Sequence, residues 1–130
     1  KNPTCCSKSD SVYDAVRIMS QENCGVVPIV DDKEHCVGVI TDRDICLNVV
    51  LNEMPPRETT LDELMTRNPV TVRENEQIDE VLNKMEDNQI KRIVVEDNSG
   101  RCCGIISEHD IVTQEQDPEQ VAEFVSGVYS

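Results

Sequence analysis

Two stretches pair a hydroxyl with a carboxylate three residues on: Thr41-Asp42-Arg43-Asp44 and Ser107-Glu108-His109-Asp110. By spacing alone each is a helix capping box, in which the hydroxyl accepts an amide of the first turn and the acid reaches back to the cap, with Asp in place of the usual Glu or Gln. The seven cysteines, Cys5, Cys6, Cys24, Cys36, Cys46, Cys102 and Cys103, are odd in number and scattered, with no C-x-x-C pair. That spacing argues against a zinc knuckle and against a dithiol redox centre. Most of them sit beside Val, Ile or Gly, where a reduced Cys acts as a small hydrophobe, and a reducing compartment is implied. His35 falls in a turn and His109 beside a cap. There is no phosphate-loop G-x-x-x-x-G-K-[S/T], no G-x-G-x-x-G and no H-E-x-x-H, so no catalytic residue and no metal ligand set is assigned.

The elements that would carry these residues belong to a 130-residue chain with 12 Lys+Arg against 26 Asp+Glu, a formal net charge of −14. Residues 1–65 hold 6 basic and 12 acidic residues and residues 66–130 hold 6 and 14, which reads as a solvated acidic surface without a charged tail. Such a surface repels duplex nucleic acid, and with no Trp, one Phe and two Tyr the stacking platforms for single strands are missing too. No apolar run approaches the ~20 residues of a membrane span. Lys1-Asn2-Pro3-Thr4 reads as neither a signal-peptide core nor an Arg-rich leader, so a soluble chain is expected, and the reduced cysteines make a cytoplasmic setting the expected one.

An internal repeat organises the rest. Gly38-Val39-Ile40-Thr41-Asp42-Arg43-Asp44-Ile45 returns as Gly104-Ile105-Ile106-Ser107-Glu108-His109-Asp110-Ile111, and the same offset of 66 carries Met19 onto Met85, Asp31 onto Asp97 and Cys36 onto Cys102. Val12, Ala15, Val16 and Met19, then Ile78, Val81, Leu82 and Met85, follow helical spacing and predict one amphipathic helix per repeat. Val26-Val27-Pro28-Ile29-Val30 and Cys36-Val37-Gly38-Val39-Ile40, or Ile93-Val94-Val95 and Cys102-Cys103-Gly104-Ile105-Ile106, flank a polar turn and predict a hairpin. A second helix opens at Thr41 or Ser107, and a short strand, Thr4-Cys5-Cys6 or Val70-Thr71-Val72, precedes the first helix. The expected domains are 1–60, including a linker from Asn52 to Thr60, and 61–130, opened by a leader helix at Leu61–Met65. The leader helix of repeat one would lie before Lys1. A last helix is expected from Asp117, with Val121, Phe124, Val125 and Val128 as its stripe.

In these residues the chain resembles a tandem pair of cystathionine β-synthase (CBS) domains, a Bateman module. The resemblance rests on Leu64-Met65-Thr66-Arg67-Asn68-Pro69-Val70-Thr71-Val72, on Lys91-Arg92-Ile93-Val94-Val95-Glu96-Asp97, and on the two closing motifs in register. It implies an α/β (α+β) fold of two β-α-β-β-α repeats about a pseudo-twofold axis, with sheets facing and helices outside. It also implies two clefts for adenosine-containing ligands such as AMP, ADP, ATP or S-adenosylmethionine. The closing-motif hydroxyl would contact phosphate or ribose, and the Asp would accept from the ribose hydroxyls, positions held here by Thr41 with Asp44 and by Ser107 with Asp110. A carboxylate can take both hydroxyls of a cis-diol, and a hydroxyl beside helix-start amides attracts an anion. The capping reading and the ligand reading are compatible.

The same resemblance joins the closing motif of one repeat to the strands of the other. Thr41, Arg43 and Asp44 would face Thr71, Lys91, Arg92 and Ile93, while Ser107, His109 and Asp110 would face Thr4, Gly25, Val26 and Val27. The first cleft would gather three permanent cations and the second only a histidine, so phosphate is expected in the first. Taken singly, Lys91 and Arg92 are a solvated strand end. Cys5 and Cys6 stand in place of the Thr-Val usual on the first strand, which alters the wall that a base would pack against. The expected function is a non-catalytic regulatory module with a homodimeric assembly, an adenosine-type ligand, no required cofactor and a regulated protein partner. The alternatives are a structural dimerisation module with empty clefts and a thiol- or metal-responsive module using Cys5, Cys6, Cys102 and Cys103.

Overall fold

The structure, a computed structural model, describes residues 4–108. The helix expected from Asp117, together with His109 and Asp110, lies outside the described residues. Two compact units divide between Pro69 and Val70.

In the first unit, α1 (Val12–Glu22) starts because Ser11 caps it: the Ser11 Oγ accepts from the Asp14 amide at 3.1 Å and the Asp14 carboxylate accepts from the Ser11 amide at 3.2 Å. Two further first-turn amides are taken by the linker, Val12 donating to the Thr59 carbonyl and Tyr13 to that of Pro56, and the Arg57 guanidinium lies 3.8 Å over the Tyr13 ring. The helix buries Val12, Ala15 and Met19. Val16, expected on that stripe, is exposed, and Ile18 packs against the core instead. The helix ends at Asn23 in the left-handed conformation, from which β1 (Val26–Val30) and the antiparallel β2 (Cys36–Thr41) follow.

The turn between them is built by Asp31, whose Oδ1 accepts the amides of Lys33 and His35. The His35 amide first, then that of Lys33, holds the carboxyl below its ordinary range. The chain runs on into α2 (Asp42–Ile45) and a π-helical turn over Cys46–Val50. The leader helix α3 (Leu61–Leu64) and a two-residue strand β3 (Thr66–Arg67) complete this unit, β3 lying antiparallel to β2 with Gly38 opposite Arg67. The core joins Val12, Ala15, Val27, Ile29, Ile40 and Leu61.

The second unit holds β4 (Thr71–Arg73), α4 (Ile78–Asp87), β5 (Arg92–Glu96) and β6 (Cys102–Ser107). β4 is parallel to β5 and β5 antiparallel to β6. Its core is Val72, Val81, Met85, Ile93, Val95 and Ile106 with Cys103.

The 66-residue offset holds down to single hydrogen bonds. Val26 opposite Thr41 becomes Arg92 opposite Ser107, and both hairpins are irregular at the same place, Ile29/Val30 and Val95/Glu96. Cys24 donates to the Met19 carbonyl as Ile90 does to Met85, and Asp97 repeats the Asp31 turn with the amides of Ser99 and Arg101. Asn23 and Gln89 share the left-handed conformation, as do Glu34 and Gly100. The first strands differ. The stretch Thr4-Cys5-Cys6 forms a single bridge, Cys6 to Ile29, whereas its counterpart is a three-residue strand displaced by one residue from the expected Val70–Val72. Among the described residues no helix is long and apolar enough to cross a membrane.

Candidate functional site

Thr41 ends β2 and caps α2, because the extended backbone there leaves its Oγ1 against the turn that follows. The Oγ1 accepts from the Asp44 amide at 3.1 Å, and the Asp44 Oδ2 accepts from the Thr41 amide at 3.2 Å. This is the capping box that the spacing predicts. Oδ1 of Asp44 accepts nothing from the described residues, and the side chain is half-buried. One carboxylate oxygen is therefore fixed by the fold while the other is positioned and unspent. The Asp44 carbonyl is braced in turn by Nδ2 of Asn48 at 2.8 Å. Asp42 donates its amide to the Gly25 carbonyl at 2.9 Å, and Val26 lies opposite Thr41, so Thr41, Arg43 and Asp44 share one end of the sheet with Gly25, Val26 and Val27. Thr4, reached through Cys6, is exposed and donates from Oγ1 to Glu22 at 2.8 Å. The side chain of Val27 belongs to the core and leaves only main-chain atoms for a ligand.

The second unit repeats the arrangement. Ser107 lies opposite Arg92, and the Glu108 amide donates to the Lys91 carbonyl at 2.7 Å, the counterpart of the Asp42–Gly25 bond. Lys91 and Arg92 are exposed, Thr71 is half-buried opposite Val94, and Ile93 points into the core. Arg43, Lys91 and Arg92 form no ion pair with the described residues, unlike Arg67, paired with Asp62 at 2.7 Å, and Lys84, paired with Glu76 at 3.2 Å. Each unit thus gathers, at one end of its own sheet, residues that the family resemblance assigns to both clefts. His109 and Asp110 lie outside the described residues.

Two of the thiols, Cys6 and Cys103, are held back from reaction. Cys6 is buried, and burial first, then the Asp10 and Asp14 carboxylates, pushes its thiol up to about 12. Burial and Glu74 push Cys103 up to about 11. Thiolate is the reactive form, and neither forms it near neutrality. No group of three or more His, Cys, Asp or Glu side chains that could hold a metal occurs among the described residues.

Two supports of these residues escape single-sequence motif reading. One is Asn48, and the other is Lys84, whose Nζ donates to the Thr71 carbonyl at 3.1 Å. The signal for the second was present: at the offset of 66, Lys84 stands where the first repeat has the apolar Ile18.

The CBS domain family model matches residues 1–50 and 61–117. The uncharacterized protein YlbB of Bacillus subtilis is 36% identical over 124 residues, covering 95% of this chain and 82% of that one. Among solved structures, the CBS domain pair of protein MJ0100, in complex with 5′-methylthioadenosine and S-adenosyl-L-methionine, superposes with a TM-score of 0.77 at 33% identity, over 89% of this chain and 90% of that one. Hypoxic Response Protein I, with two coordinated zinc ions, gives a TM-score of 0.75 at 32% identity, over 85% of this chain and 88% of that one.

Proposed function

Since the chain belongs to the CBS domain family, matched in both of its repeats, we propose that it is a non-catalytic regulatory module that binds an adenosine-containing ligand between those repeats. The observation that carries this is the Thr41–Asp44 box: a capped helix start whose carboxylate keeps one oxygen uncommitted, in a chain whose 33%-identical structural relative is complexed with 5′-methylthioadenosine and S-adenosylmethionine. In this reading Asp44 accepts the ribose hydroxyls and Thr41 meets ribose or phosphate. Arg43, Lys91 and Arg92 neutralise the phosphate, and Thr71 with the main chain at Ile93 forms the wall. The second cleft, of Ser107, His109 and Asp110 with Thr4, Gly25, Val26 and Val27, has fewer cations and takes phosphate less well.

The ligand class is AMP, ADP, ATP or S-adenosylmethionine. No further cofactor is needed, because the module acts by binding one arrangement of the repeats better than another, which a regulated protein partner then senses. A homodimer in the cytoplasm is the expected setting, without nucleic acid or membrane.

Thermal unfolding under reductant, against AMP, ADP, ATP, S-adenosylmethionine and zinc, tests the reading. A native-state ligand raises the midpoint by mass action. The expected result is a rise with one adenosine compound that Asp44→Ala abolishes and Asp110→Ala diminishes less. Equal losses from the two variants sink the asymmetry, and a rise with zinc alone replaces the nucleotide reading with a metal-responsive one, which the zinc-bearing relative makes worth including.

A further inference from the structure

Only three residues long, β4 is fastened by side chains at both ends. The Thr71 carbonyl accepts from Nζ of Lys84 at 3.1 Å, and Lys84 is paired with Oε1 of Glu76 at 3.2 Å. The same Glu76 oxygen accepts the Arg73 amide at 3.1 Å, and the Arg73 guanidinium donates to the Asp97 carbonyl at 2.8 Å. One lysine on α4 thereby links the helix to the strand, while the acid beside it links the strand to the turn that follows.

The first repeat lacks this tether. The offset of 66 puts Ile18 at the position of Lys84, Ser7 at that of Arg73 and Asp10 at that of Glu76. The Ser7 amide still donates to Asp10, at 2.9 Å, but a hydrocarbon at 18 can donate nothing and a serine at 7 has no guanidinium to send to the turn. The strand there shrinks to the single bridge at Cys6, against three paired residues in β4. Pro28, at the position of Val94, has no amide to donate to that ladder, so the shorter pairing there has a cause of its own beside the missing tether.

We infer that Lys84 is a positioning residue for ligand binding, holding Thr71 of β4 in place so that this wall is ordered before the adenosine ligand arrives. The inference rests on the ligand-binding reading above. Lys84 lies on the helix behind the strand and acts through Thr71. A wall that is already ordered spares the ligand the entropic cost of fixing it.

The test is calorimetric titration of the full chain with AMP and with S-adenosylmethionine, for wild type, Lys84→Met, Lys84→Arg and Gly100→Ala, with amide exchange of Thr71, Val72 and Arg73 followed in parallel. Lys84→Met keeps the length of the side chain and removes the donor. It is expected to weaken binding about 10-fold, the scale of one lost charge-assisted hydrogen bond, and to speed exchange in β4. Lys84→Arg restores both. Gly100→Ala disturbs a turn of the same unit and is expected to bind as wild type does, which separates positioning from general stability. Wild-type affinity in Lys84→Met, or an equal loss in Gly100→Ala, overturns the inference while leaving the ligand reading intact. Failure of the wild type to bind either probe overturns the ligand reading and this inference with it.

Discussion

Cys6 occupies the position that the second repeat gives to Val72, and both side chains are buried in their respective cores. The exchange of a methyl-bearing hydrophobe for a thiol is nearly silent at neutral pH, because the protonated thiol packs as an apolar group. At alkaline pH it is not. The folded chain holds the Cys6 thiol at about 12 against an ordinary 9.0, with burial as the main cause, so between those values the unfolded chain has released a proton that the folded chain retains. Stability attached to this group is complete below pH 9 and declines as pH rises towards 12. Urea midpoints measured from about pH 8 to about pH 11 should fall less steeply in Cys6→Val than in the parent. The second unit offers a parallel case in Cys103, at about 11, whose counterpart in the first repeat is Val37. A Cys6→Val profile that tracks the parent would show that the thiol ionises as readily in the fold as in the open chain. The same burial argues against these two cysteines as sensors, whereas Asp44 and Thr41 carry polar atoms that are both fixed and half-exposed.

At the scale of elements, glycines mark where backbones approach or turn. A Cβ at Gly38 would sit 2.7 Å from the Met65 Sδ and 2.9 Å from the Thr66 carbonyl oxygen. The thioether can swing aside, but the carbonyl belongs to the β2–β3 ladder and cannot. Gly38→Ala is therefore expected to destabilise the first unit by about 1–3 kcal/mol, the usual cost of overpacking. Met65→Ala added to it should recover only part, measured by urea unfolding of both single variants and the pair. Complete recovery would mean that the strand edge yields. Gly100, at φ 83°, closes the second hairpin. Gly100→Ala is expected to cost about 1–2 kcal/mol for a left-handed backbone, although Glu34 holds the same place in the first hairpin at φ 67°.

These elements show which parts of the fold the sequence could reveal. The first helix and the hairpin of each repeat, and the Thr41–Asp44 capping box, follow from local periodicity and spacing. β3 was not legible, because Thr66–Arg67 is too short to show a period and its partner Gly38 lies far back in the chain. The exposure of Val16 was hidden for a related reason: helical spacing marks a stripe, but how wide a stripe is covered depends on what packs against it. The Lys84 tether depends on the distance from helix to strand, and only the mismatch with Ile18 hints at it.

For the whole molecule, each unit has its own hydrophobic cluster, and units of roughly 65 residues bury only about 60% of their open-chain surface, which leaves each marginal. If the ligand binds as proposed, with Thr41 and Asp44 from one repeat and Thr71, Lys91 and Arg92 from the other, it ties the two stabilities together. At a concentration 100 times its Kd, such a ligand adds about 2.7 kcal/mol, comparable with the ~2–5 kcal/mol lost when a buried methionine is truncated. Met85→Ala should accordingly speed hydrogen exchange in residues 70–108 more than in residues 4–69 when no nucleotide is present. Saturating AMP or S-adenosylmethionine should then slow exchange in both segments, repairing much of the damage. Protection confined to one segment would show a ligand held by a single unit, and the sharing of the site between repeats would have to be abandoned. Protection of both, lost together in Asp44→Ala, would mean that the ligand changes how the two repeats depend on each other, which is the property that a regulatory module needs.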